Sequence, residues 1–439
     1  MIDCKKKKIS VIADLHIHSR YSRATSKNMN LDNLTKFAVL KGLNLMGTGD
    51  FTHPKWFEEI QSGLMQSGDS GLYIPKAMQE PYLKYMITSE VSTVFNFQNR
   101  IRKIHHLILT PSLEVAEQIN GRLSRYCDLS LDGRPSLSID APELVEEIME
   151  VSRHNMVIPA HIWTPWFSLF GAFSGFDDIH DCYQDMTKHI HALETGLSSN
   201  PLMNWRLSKL DKYTLVSNSD SHSHWPWRIG REANIFNVEE LTYGKIIESI
   251  TDKDSGRLVS TIETDPAYGK YHWTGHRKCS VSLSAEDAIK RSSMYPICRK
   301  PLTKGVEQRI EELADRESGF ILDKAPRFMH LLPLSEIIRS VLGVSYQGLG
   351  SVWNNYYVLT SRFGNEYNVL IDAPKNEIRK LVDPKIAEAI IDVREDNVKL
   401  QPGYDGVYGK ISLFDETEKL GKTRNNLNSI RQKTLGDYM

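Results

Sequence analysis

Asp14, His16 and His18 alternate along the stretch from Ile9 to Ala24, ISVIADLHIHSRYSRA, and they are residue types that bind transition metals. Side chains of a strand point alternately to two faces. These three therefore share one face, while Val11, Ala13, Leu15 and Ile17 share the other. The pattern reads as a comb of ligands on a buried strand. His-x-His also occurs as polar decoration of a sheet edge, so the rest of the chain must decide between the two.

Five further segments end in ligand-type residues: Asp50 and His53 in GTGDFTH, Glu90 in ITSEVS, His105 and His106 in KIHHLIL, His161 in IPAHIW, and Asp220 with His222 in SNSDSHSHW. In TLVSNSDSH, Val216, Asn218, Asp220 and His222 share one face and repeat the first comb. Unrelated decoration would rarely recur so often. Mixed imidazole and carboxylate ligands suit Zn, Mn or Fe, and a carboxylate such as Glu90 can bridge two ions. Clusters of this kind hydrolyse phosphoesters by activating water near neutral pH and by neutralising phosphate charge. Phosphoester hydrolysis is the expected chemistry.

The elements that must position these residues alternate from Ile9 to about Asp265. Short apolar strands such as NMVIPAHIW and YTLVSNSDSH exchange with helical runs such as LDNLTKFAVLKGL and PELVEEIMEVSRHN. Repeated strand and helix imply a parallel sheet or α/β barrel with its site beyond the carboxyl ends of the strands. With 439 residues, 40% hydrophobic and 25% charged, the chain has the composition of a soluble globular protein of two or three domains. No apolar run is long enough to span a bilayer, so no membrane association is expected. MIDCKKKKISV is not followed by a signal region, and the five cysteines are scattered, so a reducing, cytoplasmic setting is expected. A formal net charge of -1 means that any binding to a polyanion must come from local patches or metal ions.

The set DLHIHS, GTGD, Glu90, His105, His161 and SDSH resembles the PHP superfamily of metal-dependent phosphoesterases, named for polymerase and histidinol phosphatase. The longer stretches HSRYSRATSKNM, KGLNLMGTGDFTHP, AHIWTPWFSLFGAFSGF, SDSHSHWPWRIGREAN, GKYHWTGHRKCSVSLS, GVEQRIEELADR and QPGYDGVYGKI narrow this to the endonuclease Q family, over roughly Ile9 to Phe414. The resemblance implies an α/β fold: a distorted seven-stranded β/α barrel over residues 1–265, a small zinc-finger-like module over 266–319 and an α+β, helix-rich C-terminal domain over 320–414. A tail over 415–439 would follow.

It also implies a metal-dependent DNA endonuclease that nicks 5′ of deaminated bases (uracil, hypoxanthine, xanthine) or of abasic sites. The alternative is a small-molecule PHP phosphoesterase of the histidinol phosphatase kind. By the resemblance, divalent ions (Zn and/or Mn or Mg) occupy two or three positions. His16, His18, Glu90 and Asp220, the proposed catalytic set, hold the first; Glu90, His105 and His161 hold the second; Asp50 and His222 hold the third. His106 could exchange with His105. The chain departs from the phosphatase pattern at Arg23, Ala24 and Asp50, which leaves occupancy of the third position open.

Damaged DNA as a partner calls for stacking surfaces and phosphate contacts, because a base must leave the duplex to be read. Trp166, Arg20, Arg23 and Arg228 lie close in sequence to the expected ligands and are the candidates, although most aromatics near them are expected to be core. In the small module, Tyr295 stands where the family has a cysteine. Either Cys279, Cys298, His272 and His276 still form a structural zinc site, or the module has lost zinc and folds by apolar packing. At the end of the chain, Gln432, Leu435 and Tyr438 follow the Q-x-x-L-x-x-aromatic pattern of peptides that dock on a PCNA-type sliding clamp. A solvated tail is the alternative there.

Overall fold

The computed structural model describes residues 8–77, 82–291 and 300–413. Cys298 of the small module and Gln432, Leu435 and Tyr438 of the tail lie outside the described residues.

Seven short or long strands lead to the ligand positions. They are β1 (Ile9–Asp14), β2 (Leu45–Gly47), β3 (Lys84–Phe97), β4 (Arg100–Thr110), β5 (Met156–Pro159), β6 (Ala192–Glu194) and β7 (Thr214–Val216). β1 pairs in parallel with β2, and β2 with β3; β3 and β4 form a long antiparallel ribbon, and β4 pairs antiparallel with β5. β6 and β7 form a separate parallel pair. An isolated parallel bridge between Ile17 and Ser221 ties the segment after β7 to the segment after β1. On the other side of β1, β8 (Ala233–Val238) and β9 (Leu258–Glu263) continue the sheet in antiparallel fashion, and Arg327–His330 adds a strand parallel to β9. The fold is thus mixed α/β around a central sheet.

β1 is shorter than the ligand comb of the sequence: it ends at Asp14, and His16 and His18 sit on extended chain beyond it. That segment is held against the turn after β2. A Cβ on Gly47 or Gly49 would collide with the carbonyl oxygens of Leu15 or Ile17, so the two glycines of GTGD allow the close approach.

Helix α1 (Leu31–Lys41) starts on an Asn30 cap whose side chain accepts from Asn33 N at 2.9 Å. It buries Leu34, Phe37, Ala38 and Lys41, the i, i+3, i+4, i+7 stripe of an amphipathic helix. The last member of that stripe is a lysine in the core.

Beyond the sheet, a hairpin (Thr274–His276 with Val281–Leu283) leads to α2 (Val306–Leu313). α3 (Leu334–Leu342), α4 (Gly350–Phe363) and α5 (Pro384–Arg394) follow, and a last hairpin turns back onto the 266–277 segment. There Gly403 N donates to Ala267 O at 2.9 Å and Arg277 N to Asp405 Oδ2 at 2.6 Å. Among the described residues, no helix is long and apolar enough to cross a membrane.

Candidate metal centre

His16 and His18 follow β1, Asp50 follows β2, His161 follows β5 and Asp220 follows β7, whereas Glu90 and His105 lie within β3 and β4. Three of these positions have a backbone forced out of the ordinary range. Asp50 has φ +47°, His161 φ +30° and Asp220 φ +46°. Non-glycine residues held in this region cost energy that the surrounding structure must offset, and such residues concentrate at functional sites.

The side chains of His16, His18, Glu90 and Asp220 converge so that one ligand atom of each lies within 4.8 Å of the others, and Glu90, His105 and His161 do the same. Glu90 belongs to both groups. Its Oε1 lies 2.8 Å from His105 Nδ1, 3.0 Å from His161 Nε2 and 3.6 Å from His16 Nε2. Its Oε2 lies 3.4 Å from His18 Nε2 and 3.1 Å from the Arg134 guanidinium. Asp220 Oδ1 stands 3.0 Å from His18 Nε2 and 3.7 Å from His16 Nε2. The histidines and Glu90 are buried or nearly so, whereas Asp220 is 27% exposed and Arg134 25% exposed, on the open side of the cluster.

Electrostatics holds the carboxylates ionised. Burial works against the charge of Glu90, but His105, Arg134 and His16 outweigh it and hold its carboxyl well below the usual range. For Asp220, burial is likewise outweighed, here by His18, His16 and His222. Burial pushes the His105 imidazole down to about 4, against the pull of Glu90, so it is neutral and able to donate a lone pair.

A divalent ion fits this donor set on one observation above all. His16 Nε2 is buried and has no hydrogen-bond partner, while His16 Nδ1 lies 3.0 Å from a Glu194 oxygen. A ring whose Nδ1–H is committed to a carboxylate presents the Nε2 lone pair, and here that lone pair points into a nest of carboxylate oxygens. The same supporting arrangement recurs. His18 Nδ1 lies 3.0 Å from Asp50 Oδ1, and His161 Nδ1 lies 3.2 Å from Thr164 Oγ1. The buried histidine and carboxylate clusters are therefore compatible with divalent metals.

Neither cluster takes in Asp50 or His222. Asp50 is spent on His18 and on Ser19 and Ser22, whose hydroxyls donate to its Oδ2 at 2.6 and 2.8 Å. His222 packs tilted against His18, ring centres 4.4 Å apart, and directs Nδ1 to the Asp220 carbonyl at 2.9 Å. His106 is turned away from the site, between Thr93 Oγ1 and Tyr183 OH at 2.9 Å each. Asp14, the first member of the comb, lies outside both clusters and accepts from Ser219 N, Ser219 Oγ and Gly230 N.

A cavity of about 800 Å³ opens over the cluster, lined by His105, His161, Asp220 and His222 together with Arg134, Arg228, Trp166 and Tyr271. Trp166 is 42% exposed and stacks on Phe173 with ring centres 4.8 Å apart. Arg20 and Arg23 lie outside the lining, paired with Glu59 at 2.5 Å and Asp132 at 3.2 Å. In the small module, His276 Nδ1 lies 3.1 Å from Cys279 Sγ, whereas His272 lines the cavity. Among the described residues, no group of three metal-ligand types forms around Cys279.

Glu194 and Arg134 are site residues that the strand-end pattern did not single out. Glu194 ends the short apolar strand β6, and an acid at the end of an apolar run was the available signal. Arg134 follows a turn and has no such mark.

Fold and site together define a hydrolase whose buried histidine and carboxylate clusters are compatible with divalent metals. Among solved structures, the chain is similar to the lesion-specific endonuclease PfuEndoQ from Pyrococcus furiosus, at 34% identity and a TM-score of 0.82 over 96% of this chain and 100% of that one. The chain belongs to the endonuclease Q family. It is similar, at 34% identity and a TM-score of 0.81 over 93% of this chain and 98% of the other, to an endonuclease Q solved with a 27-mer duplex substrate that has an abasic lesion at the active site. Residues 333–397 match the family described as MJ0043 C-terminal domain. Protein MJ0043 of Methanocaldococcus jannaschii is 35% identical over 258 residues, 57% of this chain; the match spans only 31% of that longer protein.

Proposed function

We propose that this protein is a metal-dependent DNA endonuclease that nicks the phosphodiester 5′ of a deaminated base (uracil, hypoxanthine or xanthine) or of an abasic site. The observation that carries this reading is Glu90, shared by two ligand clusters whose His105, His161 and Asp220 line a cavity together with arginines and aromatic rings. The relative solved with an abasic lesion at its active site supports it.

Two divalent ions, Zn and/or Mn or Mg, held by His16, His18, Glu90 and Asp220 and by Glu90, His105 and His161, would supply Lewis acidity toward water and the scissile phosphate. The chain does the rest. Glu194, Asp50 and Thr164 keep the far nitrogens of His16, His18 and His161 occupied, so that the near nitrogens face the cluster. Arg134 neutralises Glu90 and, with Arg228, gives the cavity the positive charge that draws a phosphodiester. Trp166 and Tyr271 offer flat apolar surface to a nucleotide taken out of the duplex, a step that costs a few kcal/mol and least for a damaged base.

The path from β1 to β7, with the Ile17–Ser221 bridge at its seam, supports reading residues 1–265 as the distorted seven-stranded PHP barrel. The segments 266–319 and 320–414 are read as module and C-terminal domain. The pattern of Gln432, Leu435 and Tyr438 supports recruitment to a PCNA-type clamp.

The test is incubation of the protein and its Asp220→Asn variant with Mn or Mg on labelled duplexes holding one uracil, hypoxanthine or abasic site, beside an undamaged control. Asn is chosen because it tolerates the positive φ of this position. A metal-dependent nick 5′ of the lesion, lost in the variant, is expected. Turnover of a generic phosphomonoester with no nick on any duplex would sink the reading.

A further inference from the structure

The loop that carries Asp220 and His222 runs on to Gly230, and it is fixed at its far end by residues from two distant parts of the chain. Lys41, at the end of α1, is 1% exposed and donates to the Pro226 carbonyl at 2.9 Å and to Glu366 Oε1 at 2.7 Å. Glu366 is fully buried, and it also accepts from Leu334 N at 3.1 Å and from Tyr356 OH at 2.7 Å. Next to it, Tyr367 OH donates to the Gly230 carbonyl. Gly230 has φ +59°, and a Cβ there would press on the Tyr367 hydroxyl and the Lys41 side chain. Its own N–H donates to Asp14 Oδ2 at 2.8 Å. The same carboxylate accepts from Ser219, the neighbour of Asp220. Trp225 and Trp227, stacked at 4.8 Å within the loop, lean on Trp353 of α4 at 5.7 and 5.8 Å.

A lysine and a glutamate buried together are costly to desolvate, and apolar residues of similar volume would often be as stable. Stability alone therefore does not account for their presence. What the pair adds is a third bond, from Lys41 to a backbone carbonyl of the ligand loop, with a second carbonyl of that loop held one residue along from Glu366.

We propose that Lys41, Glu366 and Tyr367 are positioning residues for the reaction: they hold the 219–230 loop so that the Asp220 carboxylate stands among His16, His18 and Glu90. The inference rests on Asp220 acting as a metal ligand, as in the function proposed above. It makes the C-terminal segment part of the metal centre's support.

Full-length protein, the Tyr367→Phe variant and the double variant Lys41→Met/Glu366→Leu decide it. Mn binding is measured by titration calorimetry, melting temperature by fluorescence, and kcat and KM on an abasic duplex. Residues that orient metal ligands typically change affinity or activity by 10–100-fold, so a loss of about tenfold in Mn affinity in the folded double variant is expected, with kcat lowered and KM held. A loss of about threefold is expected for Tyr367→Phe, which removes only the hydroxyl. A lowered melting temperature with Mn affinity and kcat unchanged would overturn the proposal, since a merely structural role predicts that result. Should the double variant not fold, Tyr367→Phe decides alone: unchanged Mn affinity overturns the proposal. The Mn titration needs no DNA, so a failure of the lesion-nicking reading stays distinct from a failure of this one.

Discussion

His16 Nδ1 lies 3.0 Å from a Glu194 carboxylate oxygen, and both side chains are fully buried. Glu194 also accepts from the backbone N–H of His161 and from Asn218 Nδ2, both at 2.8 Å, so one carboxylate orients a member of each ligand cluster. Replacing Glu194 by Gln removes the charge and lets an amide N–H compete for His16 Nδ1. Mn affinity should fall by about 10–100-fold. Calorimetric titration of the variant checks this, and wild-type affinity would remove Glu194 from the account.

His105 and His106 are adjacent in sequence but have different surroundings. His105 meets Glu90 and His161 in the cluster, whereas His106 bridges Thr93 and Tyr183 in the core and is pushed down to about 3 by burial. His105→Ala should abolish nicking while the protein remains folded. His106→Ala should leave two buried hydroxyls without their partner and cost about 3 kcal/mol in urea unfolding, with the site chemistry retained. The opposite pair of results would exchange the two assignments.

Stability should depend on pH through Glu263. This carboxyl is buried beside Thr261 and Thr195, and burial raises it from the ordinary 4.5 to about 8, against the hydrogen bonds of both threonines. A carboxyl raised in the folded state stabilises fully below the unfolded value, and that contribution is lost as pH climbs through the folded value. The melting temperature is therefore expected to decline from about pH 5 to pH 8. In Glu263→Gln, which mimics the protonated acid, the decline should flatten. An equally steep profile in the variant would rule Glu263 out as the cause.

Trp166 should matter to DNA affinity and little to metal affinity. It is half-exposed on the cavity rim, stacked on Phe173 and edge-on to Tyr271. Stacking of a base on an aromatic ring is worth about 1–3 kcal/mol, so Trp166→Ala is expected to weaken binding of an abasic or uracil duplex by about tenfold in fluorescence anisotropy. Unchanged affinity for every lesion would make the ring a surface feature only.

The residues of the two clusters carry a local sequence signal, a ligand-type side chain next to a run of apolar residues, and a period of two is a local property. His16, His18, His161 and Asp220 follow short strands, whereas Glu90 and His105 lie within the long strands β3 and β4. Parity alone could not say where each strand stops. β1 ends at Asp14, so Asp14 serves Ser219 and Gly230 while His16 and His18, two and four residues later, meet the clusters. Asp50, an acid just past a strand end, lies outside both clusters, and its Oδ2 accepts from Ser19 and Ser22, brought there by the chain after His18. Trp225 and Trp227 stand close after His222 in sequence but pack on Trp353, a contact over more than a hundred residues that no local pattern reveals.

The support of the Asp220 loop by Glu366 and Tyr367 also bears on how the protein is made. A ribosome releases the histidines that follow the first strand early and Asp220 midway, but the groups that pin the loop emerge only when the chain has grown past residue 367. A nascent fragment ending before that point carries every residue of the two clusters and lacks the brace that sets one of them. This order of synthesis leaves the Asp220 loop without the support of Glu366 and Tyr367 until the chain has grown past residue 367.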